Sequence, residues 1–178
     1  MAQTNDAEKQ LAGFMAKFTD EVSSLAEAIL GEMRRLYPTA LELVYDNYNA
    51  LAIGFSPTER ASDGIFSIAL FPRWVSLFFL QAQGLPDPDR ILKGGGNVVK
   101  HIVLPSPATL HEPAVSTLMH EATVRAKVPL DLRGAHRLII KSISAKQRPR
   151  RPAQEKAAKN APAKSKAKGT KRAGARSR

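Results

Sequence analysis

The sequence has no cysteine and only four histidines in 178 residues. The absence of cysteine excludes a disulfide framework, a cysteine-ligated zinc or iron–sulfur site and a thiol nucleophile. Four histidines also leave little material for an all-histidine metal site. We therefore expect no bound metal and no cofactor.

Long apolar runs are missing as well. The two most apolar stretches, residues 65–71 and 74–80, are separated by Pro72 and Arg73. Neither approaches the roughly 20 apolar residues that a membrane-spanning helix needs. The first eight residues are polar and mildly acidic, without the basic and apolar regions of a secretory signal. These observations predict a cytoplasmic protein without a membrane partner.

The positive charge is concentrated at one end of the chain. The formal net charge is +11, but residues 1–143 hold 14 Lys and Arg against 15 Asp and Glu. Residues 144–178 hold 13 Lys and Arg and one acid, Glu155, and they contain no Leu, Ile, Val, Phe, Tyr, Trp or Met. Such a segment buries too little apolar surface to offset the entropy of ordering it. We expect one folded domain over residues 1–143 and a disordered basic tail over residues 144–178.

Helical periodicity marks the beginning of the domain. A stripe of apolar residues recurs at spacings of three or four, which is typical of helices: Leu11, Met15, Phe18, Val22, Leu25, Ile29, Met33 and Leu36. We predict helices over about residues 6–36, with a break near Thr19, whose hydroxyl can cap a second helix. Tyr37 precedes Pro38 and so disfavours continuation of the helix.

Strand signals dominate the rest of the domain. Two apolar runs, 41–45 and 51–55, flank the polar residues Asp46 to Asn49, which favour a hairpin turn. The same four polar residues are alternatively the rim of a ligand or partner site. Further predicted elements are strands at 65–71, 74–80, 98–104 and 138–143, a short helical piece around residues 90–92, and a helix over residues 114–127 that Pro113 begins. This order predicts an α+β fold: a single small domain with a mostly antiparallel sheet and helices packed against it.

A glycine run offers a candidate anion site. Residues 93–101 read Lys-Gly-Gly-Gly-Asn-Val-Val-Lys-His, which places flexible backbone amides between two lysines and a histidine. The run matches neither a phosphate-binding loop ending in Gly-Lys-Ser/Thr nor a dinucleotide fingerprint. The alternatives are a flexible connector with solvated charges and a weak anion site formed by Lys93, Gly94, Gly96, Lys100 and His101.

Catalytic constellations are absent from the sequence pattern. His111 and His120 are each followed by glutamate, but the residues four positions later are valines, so the zinc-protease helix pattern is missing. On one helix the two histidines, nine residues apart at about 100° per residue, would lie on opposite faces. There is also no Gly-x-Ser-x-Gly nucleophile elbow. We expect a protein that is not an enzyme.

The basic tail carries the strongest functional signal. A flexible polycation binds phosphate polymers by releasing counterions, without sequence preference. The tail has no aromatic residue, so nothing in it indicates base stacking. A tail that only improves solubility is the alternative. The predicted nucleic-acid-binding residues are Arg148, Arg150, Arg151, Lys156, Lys159, Lys164, Lys166, Lys168, Lys171 and Arg172.

Several short motifs in order resemble the YdhG-like family of bacterial domains of unknown function. They are Leu85-Pro86-Asp87-Pro88, the glycine stretch from Leu92 to Ile102 and Glu112-Pro113-Ala114, after the apolar strand that begins at Trp74. The resemblance covers roughly residues 20–143. The family's glycine stretch commonly has Lys where this chain has Asn97 and Arg where it has Lys100. Residues 45–48 also depart from the Trp-Gly-Met-Pro of many members.

The resemblance implies a small α+β fold without established catalytic residues. Some members of that family are described as frataxin-like iron chaperones, and iron held this way would need oxygen ligands. The carboxylates that could supply them in this chain are Asp20, Glu21, Glu27 and Glu32.

Together these observations predict a non-enzymatic binding module. Its folded domain would take an unidentified small ligand or protein, and its tail would bind nucleic acid non-specifically. A frataxin-like intracellular iron-binding chaperone is the alternative.

Overall fold

A computed structural model describes residues 2–152 of the chain, with side chains from residue 6 onward. Three helices and six strands follow one another as α1 (Ala2–Met15), α2 (Asp20–Leu36), β1 (Leu41–Asp46), β2 (Leu51–Ser56), β3 (Phe66–Leu70), β4 (Val75–Phe79), β5 (Lys100–Leu104), α3 (Pro113–Val124) and β6 (Leu138–Ile143). Short 3-10 turns at Ala61–Asp63 and Pro107–His111 complete the path. The predicted α+β fold is confirmed.

Local sequence signals account for the helix ends. The Thr19 hydroxyl accepts a hydrogen bond from the Val22 amide at 3.4 Å, which confirms the predicted break and cap. Acidic residues lie in the first turn of α2 and Arg34 and Arg35 lie in its last turn, as the helix dipole favours. Pro113 occupies the first turn of α3, where its missing amide proton costs nothing.

One predicted helix is absent. Residues 90–92 are not helical, and the Asp87 carboxylate accepts hydrogen bonds from the amides of Ile91 and Leu92, both at 3.0 Å. Arg90 has a positive φ of 54°, which is incompatible with a right-handed helix. The prediction is wrong because the Asp87 side chain accepts the hydrogen bonds of these amides and so stabilises a loop in place of a helix.

The six strands form a single sheet in the order β5-β4-β3-β2-β1-β6. All neighbours are antiparallel except β6, which runs parallel to β1 with a register shift between Val44 and Tyr45. The mostly antiparallel sheet is therefore confirmed. Its last strand in sequence pairs with its first, so β6 and β5 form the two edges.

The two faces of the sheet have different neighbours. Residues directly opposite one another on adjacent strands share a face. One face, which we call the covered face, includes Ile53, Ile68 and Leu77, and these belong to the same buried cluster as the apolar residues of all three helices. Leu43 and Ala69, which point the other way, are buried but lie outside that cluster.

We call the second face the helix-free face, because the buried residues of α1, α2 and α3 all lie in the cluster on the covered face. By register and alternation, its residues on β1 to β5 are Leu41, Leu43, Tyr45, Ala52, Gly54, Ser56, Ser67, Ala69, Ser76, Phe78, His101 and Val103. Within residues 2–152 the domain is thus two-layered, with α1, α2 and α3 on one side of the sheet.

Candidate nucleic-acid interface

Residues 144–152, here called the C-terminal segment, pack on the domain. The Ser144 amide donates to the Asp46 carbonyl at 2.9 Å, and the Arg148 amide donates to the Tyr48 carbonyl at 2.9 Å. The segment therefore follows the turn between β1 and β2. The predicted start of disorder at residue 144 is wrong for residues 144–152, because backbone hydrogen bonds and the Arg150–Asp46 ion pair hold them where apolar burial cannot.

Arg150 anchors the segment through a buried ion pair. Its Nη2 donates to Asp46 Oδ1 at 2.9 Å and also to the Asn47 carbonyl. The side chains of Arg150 and Asp46 are 3% and 1% exposed, and the guanidinium lies 5.3 Å from the ring centroid of Phe18. The assignment of Arg150 to phosphate binding is therefore corrected, because its charge is used inside the fold. Asp46, predicted as a turn residue, ends β1 as the partner of this arginine.

Asp46 has a second cationic partner. Lys17 Nζ donates to Asp46 Oδ2 at 2.7 Å and to the Gln147 side chain at 3.0 Å, while its side chain stays 39% exposed. Nε and Nη1 of Arg150 are buried without a hydrogen-bond partner within residues 2–152. Two positive charges therefore surround one carboxylate, and the site keeps a local positive excess.

A groove of about 450 Å³ opens at this site, and we call it the basic groove. It is lined by Ala16, Lys17, Gln147, Arg148, Pro149, Arg150 and Arg151. Arg151 is exposed and donates to the carbonyls of Ala16 (3.2 Å) and Lys17 (3.4 Å) just beyond the end of α1. Arg148 is exposed and lies 3.4 Å from Asn49 Oδ1. Among residues 2–152 no carboxylate lines the groove, so this part of its surface presents arginine and lysine cations to solvent.

Most of the predicted tail residues lie beyond the part of the chain that the structure describes. These are Lys156, Lys159, Lys164, Lys166, Lys168, Lys171 and Arg172. Arg148 and Arg151 line the basic groove. The sequence alone could not predict this groove, because it also depends on Lys17, which is far away in the chain.

The glycine run forms a tight return onto β5 rather than an open anion cradle. Lys93 and His101 pair through two backbone hydrogen bonds of 2.8 and 2.9 Å. The Lys100 ammonium donates to the Gly94 carbonyl at 2.7 Å, so this lysine is engaged with the loop itself. Gly94 has a φ of 122°, a conformation that glycine adopts without strain. Lys93 and His101 come together, whereas Gly96 is exposed on the loop.

The carboxylates considered for iron do not form a common site. Asp20, Glu21 and Glu27 are exposed along α2, and Glu32 binds His111 at 2.6 Å and Arg35. Burial raises the pKa of Glu32, but hydrogen bonds from His111 and Arg35 outweigh it and lower the pKa overall. Within residues 2–152, no three His, Asp or Glu side chains are grouped as metal ligands.

The structure brings His111 and His120 to one shallow groove of about 210 Å³, together with Ser116 and Tyr37. The two histidines do not share a helix, because His111 lies in the 3-10 turn before α3, so the argument about opposite helix faces does not apply. Among the described residues, no serine hydroxyl is hydrogen-bonded to a histidine. The groove therefore lacks an assembled nucleophile–base pair.

A second buried carboxylate was not singled out by sequence reasoning. Glu42 on β1 is fully buried and binds Arg34 at 2.6 and 2.8 Å and His136 at 2.9 Å. Burial raises the pKa of Glu42, but the hydrogen bonds from Arg34 and His136 dominate and lower it overall. Glu42 alternates with apolar residues in β1, and no local signal distinguishes it from a solvent-facing strand residue.

Comparison with known proteins adds no relative. No family model matches the chain, and neither a curated protein nor a solved structure matches it. The likeness to the YdhG-like family therefore stays a prediction. Across residues 2–152, no helix is long and apolar enough to cross a bilayer.

Proposed function

We propose that this protein is a non-enzymatic, cytoplasmic nucleic-acid-binding module that holds the phosphate backbone at the basic groove without sequence preference. The observation that carries the proposal is the docking of the C-terminal segment against α1 and the β1–β2 turn. Docking places the exposed cations Arg148 and Arg151 beside Lys17. The docked segment thus brings these cations together along one groove of the folded domain.

The charge of the remaining sequence supports the same function. Nine further Lys and Arg, with one acid, follow in residues 153–178. A polycation that neutralises several phosphates releases counterions, and its affinity then falls steeply with salt. A continuous basic chain that begins on the fold is suited to track a phosphate backbone.

The test is fluorescence anisotropy of a labelled 20-nucleotide oligonucleotide with the full chain, between about 50 and 200 mM salt. One variant, R148Q/R151Q, removes two charges from the basic groove. The matched control, R60Q/R133Q, removes two exposed charges from loops that precede β3 and β6, at the other end of the sheet. We expect the groove variant to weaken binding several-fold and to flatten the salt dependence by up to about two phosphate contacts.

Two outcomes would overturn the proposal. One is no binding by the wild-type chain at the lowest salt. The other is the same affinity and salt slope for the groove variant and its control. The iron-chaperone alternative is not carried forward, because no observation within residues 2–152 favours it.

A further inference from the structure

Four rings form a continuous row on the helix-free face, which we call the ring row. Trp74 stacks on Phe71 with centroids 5.0 Å apart, Phe71 lies 6.5 Å from Phe78, and Phe78 stacks on His101 at 5.0 Å. Trp74, immediately before β4, alternates with Ser76 and Phe78 of that strand, which points all three to one face. The row therefore crosses the sheet from the β3–β4 turn to the edge strand β5.

The ring row is accessible. Trp74 is 41% exposed, Phe71, Phe78 and His101 are half-buried, and Val103 beside them is 40% exposed. Contiguous exposed apolar surface of this kind commonly marks a binding site. The only tryptophan of the chain is thus on the surface and outside the core.

Strand register places one end of the ring row near the basic groove. Asp46 pairs with Leu51, and Leu51 pairs with Leu70, so the β1–β2 and β3–β4 turns lie at the same end of the sheet. Two inter-strand spacings separate these turns by about 10 Å. Tyr48, 52% exposed, lies in the first turn and accepts a backbone hydrogen bond from Arg148.

Charge on this face is complementary to phosphate. Both carboxylates of the six strands, Glu42 and Asp46, are on the covered face. Lys93 lies directly opposite His101 in its bridge, which puts this exposed lysine on the helix-free face at the far end of the ring row. Lys93 therefore flanks one end of the ring row on this face, the basic groove lies beyond the other end around the edge of the β1–β2 turn, and no strand carboxylate lies along the row.

We propose that the ring row binds single-stranded nucleic acid, with unpaired bases stacked on Trp74 and its neighbours and phosphates held by Lys93 and the basic groove. The inference rests on the proposed function and specifies the form of its substrate. Stacking on an aromatic side chain needs a free base face, which a duplex hides inside its own stack. Rings favour any base, so the site is selective for strandedness and not for sequence.

The test begins with the wild-type full chain, because its single tryptophan reports directly on the site. We titrate it with oligo(dT), oligo(rU) and a DNA duplex at equal phosphate concentration and follow tryptophan emission. We expect quenching by one or both single strands and little change with duplex. Comparison of the two single strands shows whether DNA or RNA is preferred.

Variants then locate the stacking. W74A should weaken single-strand binding about tenfold while duplex binding and the salt slope stay unchanged. The control L132A truncates a more exposed apolar residue, 87% exposed, far along the chain, and should have no effect. W74F keeps a ring and should restore most of the affinity. Circular dichroism confirms that each variant is folded.

The possible failures are distinguishable. Equal affinity for single strand and duplex without quenching would overturn the ring-row proposal and leave the proposed function standing. No binding of either would remove both. Tryptophan emission that depends on protein concentration, and not on oligonucleotide, would show a second copy of the chain on this face and would also overturn the proposal.

Discussion

The covered face of the sheet holds two carboxylates, Glu42 and Asp46, each with at least two basic partners, whereas no strand residue placed on the helix-free face is acidic. The covered face also buries large aliphatic side chains, while the helix-free face mixes small residues with an accessible row of rings. The contrast separates two uses of charge. Inside the fold, paired charges fix where segments meet, and on the surface, unmatched cations remain for a ligand. The predictions below test that division.

The largest expected effect is at the buried ion pair. R150M leaves Asp46, 1% exposed, with Lys17 as its remaining cation. Removing one partner of a buried pair is strongly destabilising, and we expect unfolding free energy to fall by about 3 kcal/mol. Urea unfolding measures it. The control is R151M at the neighbouring, exposed arginine, which should change the unfolding free energy by less than about 0.5 kcal/mol. Equal effects of R150M and R151M would mean that Arg150 does not anchor the segment.

The next comparison sets one apolar truncation against another across the sheet. L77A creates a cavity on the covered face, where Leu77 is fully buried, and should cost about 3 kcal/mol. V103A truncates a residue that is 40% exposed on the helix-free face and should cost less than about 1 kcal/mol. Chemical denaturation of both variants is sufficient. Similar losses would show that the helix-free face is packed like a core.

Acid unfolding tests the other buried carboxylate. The pKa of Glu42 is lowered in the folded state from the ordinary value of 4.5. Its contribution to stability is therefore present above about pH 4.5 and is lost as pH falls through the lower, folded-state value. We expect E42Q to be less stable at neutral pH and to lose less stability on acidification, as followed by circular dichroism. An unchanged acid profile would contradict the assigned role of Arg34 and His136.

The smallest effect is expected at the ring row in the absence of ligand. W74A removes a stacked partner of Phe71 at the surface and should lower unfolding free energy by no more than about 1 kcal/mol. Thermal and urea unfolding measure it. A loss above about 2 kcal/mol would make the ring row a structural element and weaken its assignment as a binding surface.

Local signals in the sequence predicted most elements of this fold. The Thr19 cap, the polar turn between β1 and β2, and Pro113 at the start of α3 depend on neighbours within a few residues. The loop after Asp87 was wrongly predicted as a short helix. The Asp87 carboxylate accepts the amide hydrogen bonds that a helix would otherwise form with its backbone.

Long-range partners were beyond sequence reasoning. Arg150 and Asp46 form an ion pair although they are 104 positions apart in the chain. No sequence pattern around either residue indicates that the other is its partner. The aromatic residues around β4 were predictable as strand residues, but which of them would face the helices depends on register and on the side that the helices occupy. The candidate interface therefore depends on strand register and on the docking of the C-terminal segment, neither of which a local sequence pattern specifies.

The pairing of the first strand with the last has a consequence for the order of folding. β1 is complete at Asp46, yet its outer neighbour β6 and its buried counter-charge Arg150 are synthesised about a hundred residues later. While the chain emerges from the ribosome, β1 has an unpaired edge and a carboxylate whose arginine does not yet exist. Contacts of such sequence separation form late and slow the overall reaction. We therefore expect the domain to finish folding only after residues 144–152 have left the ribosome. Docking of this C-terminal segment would then be the last step of folding.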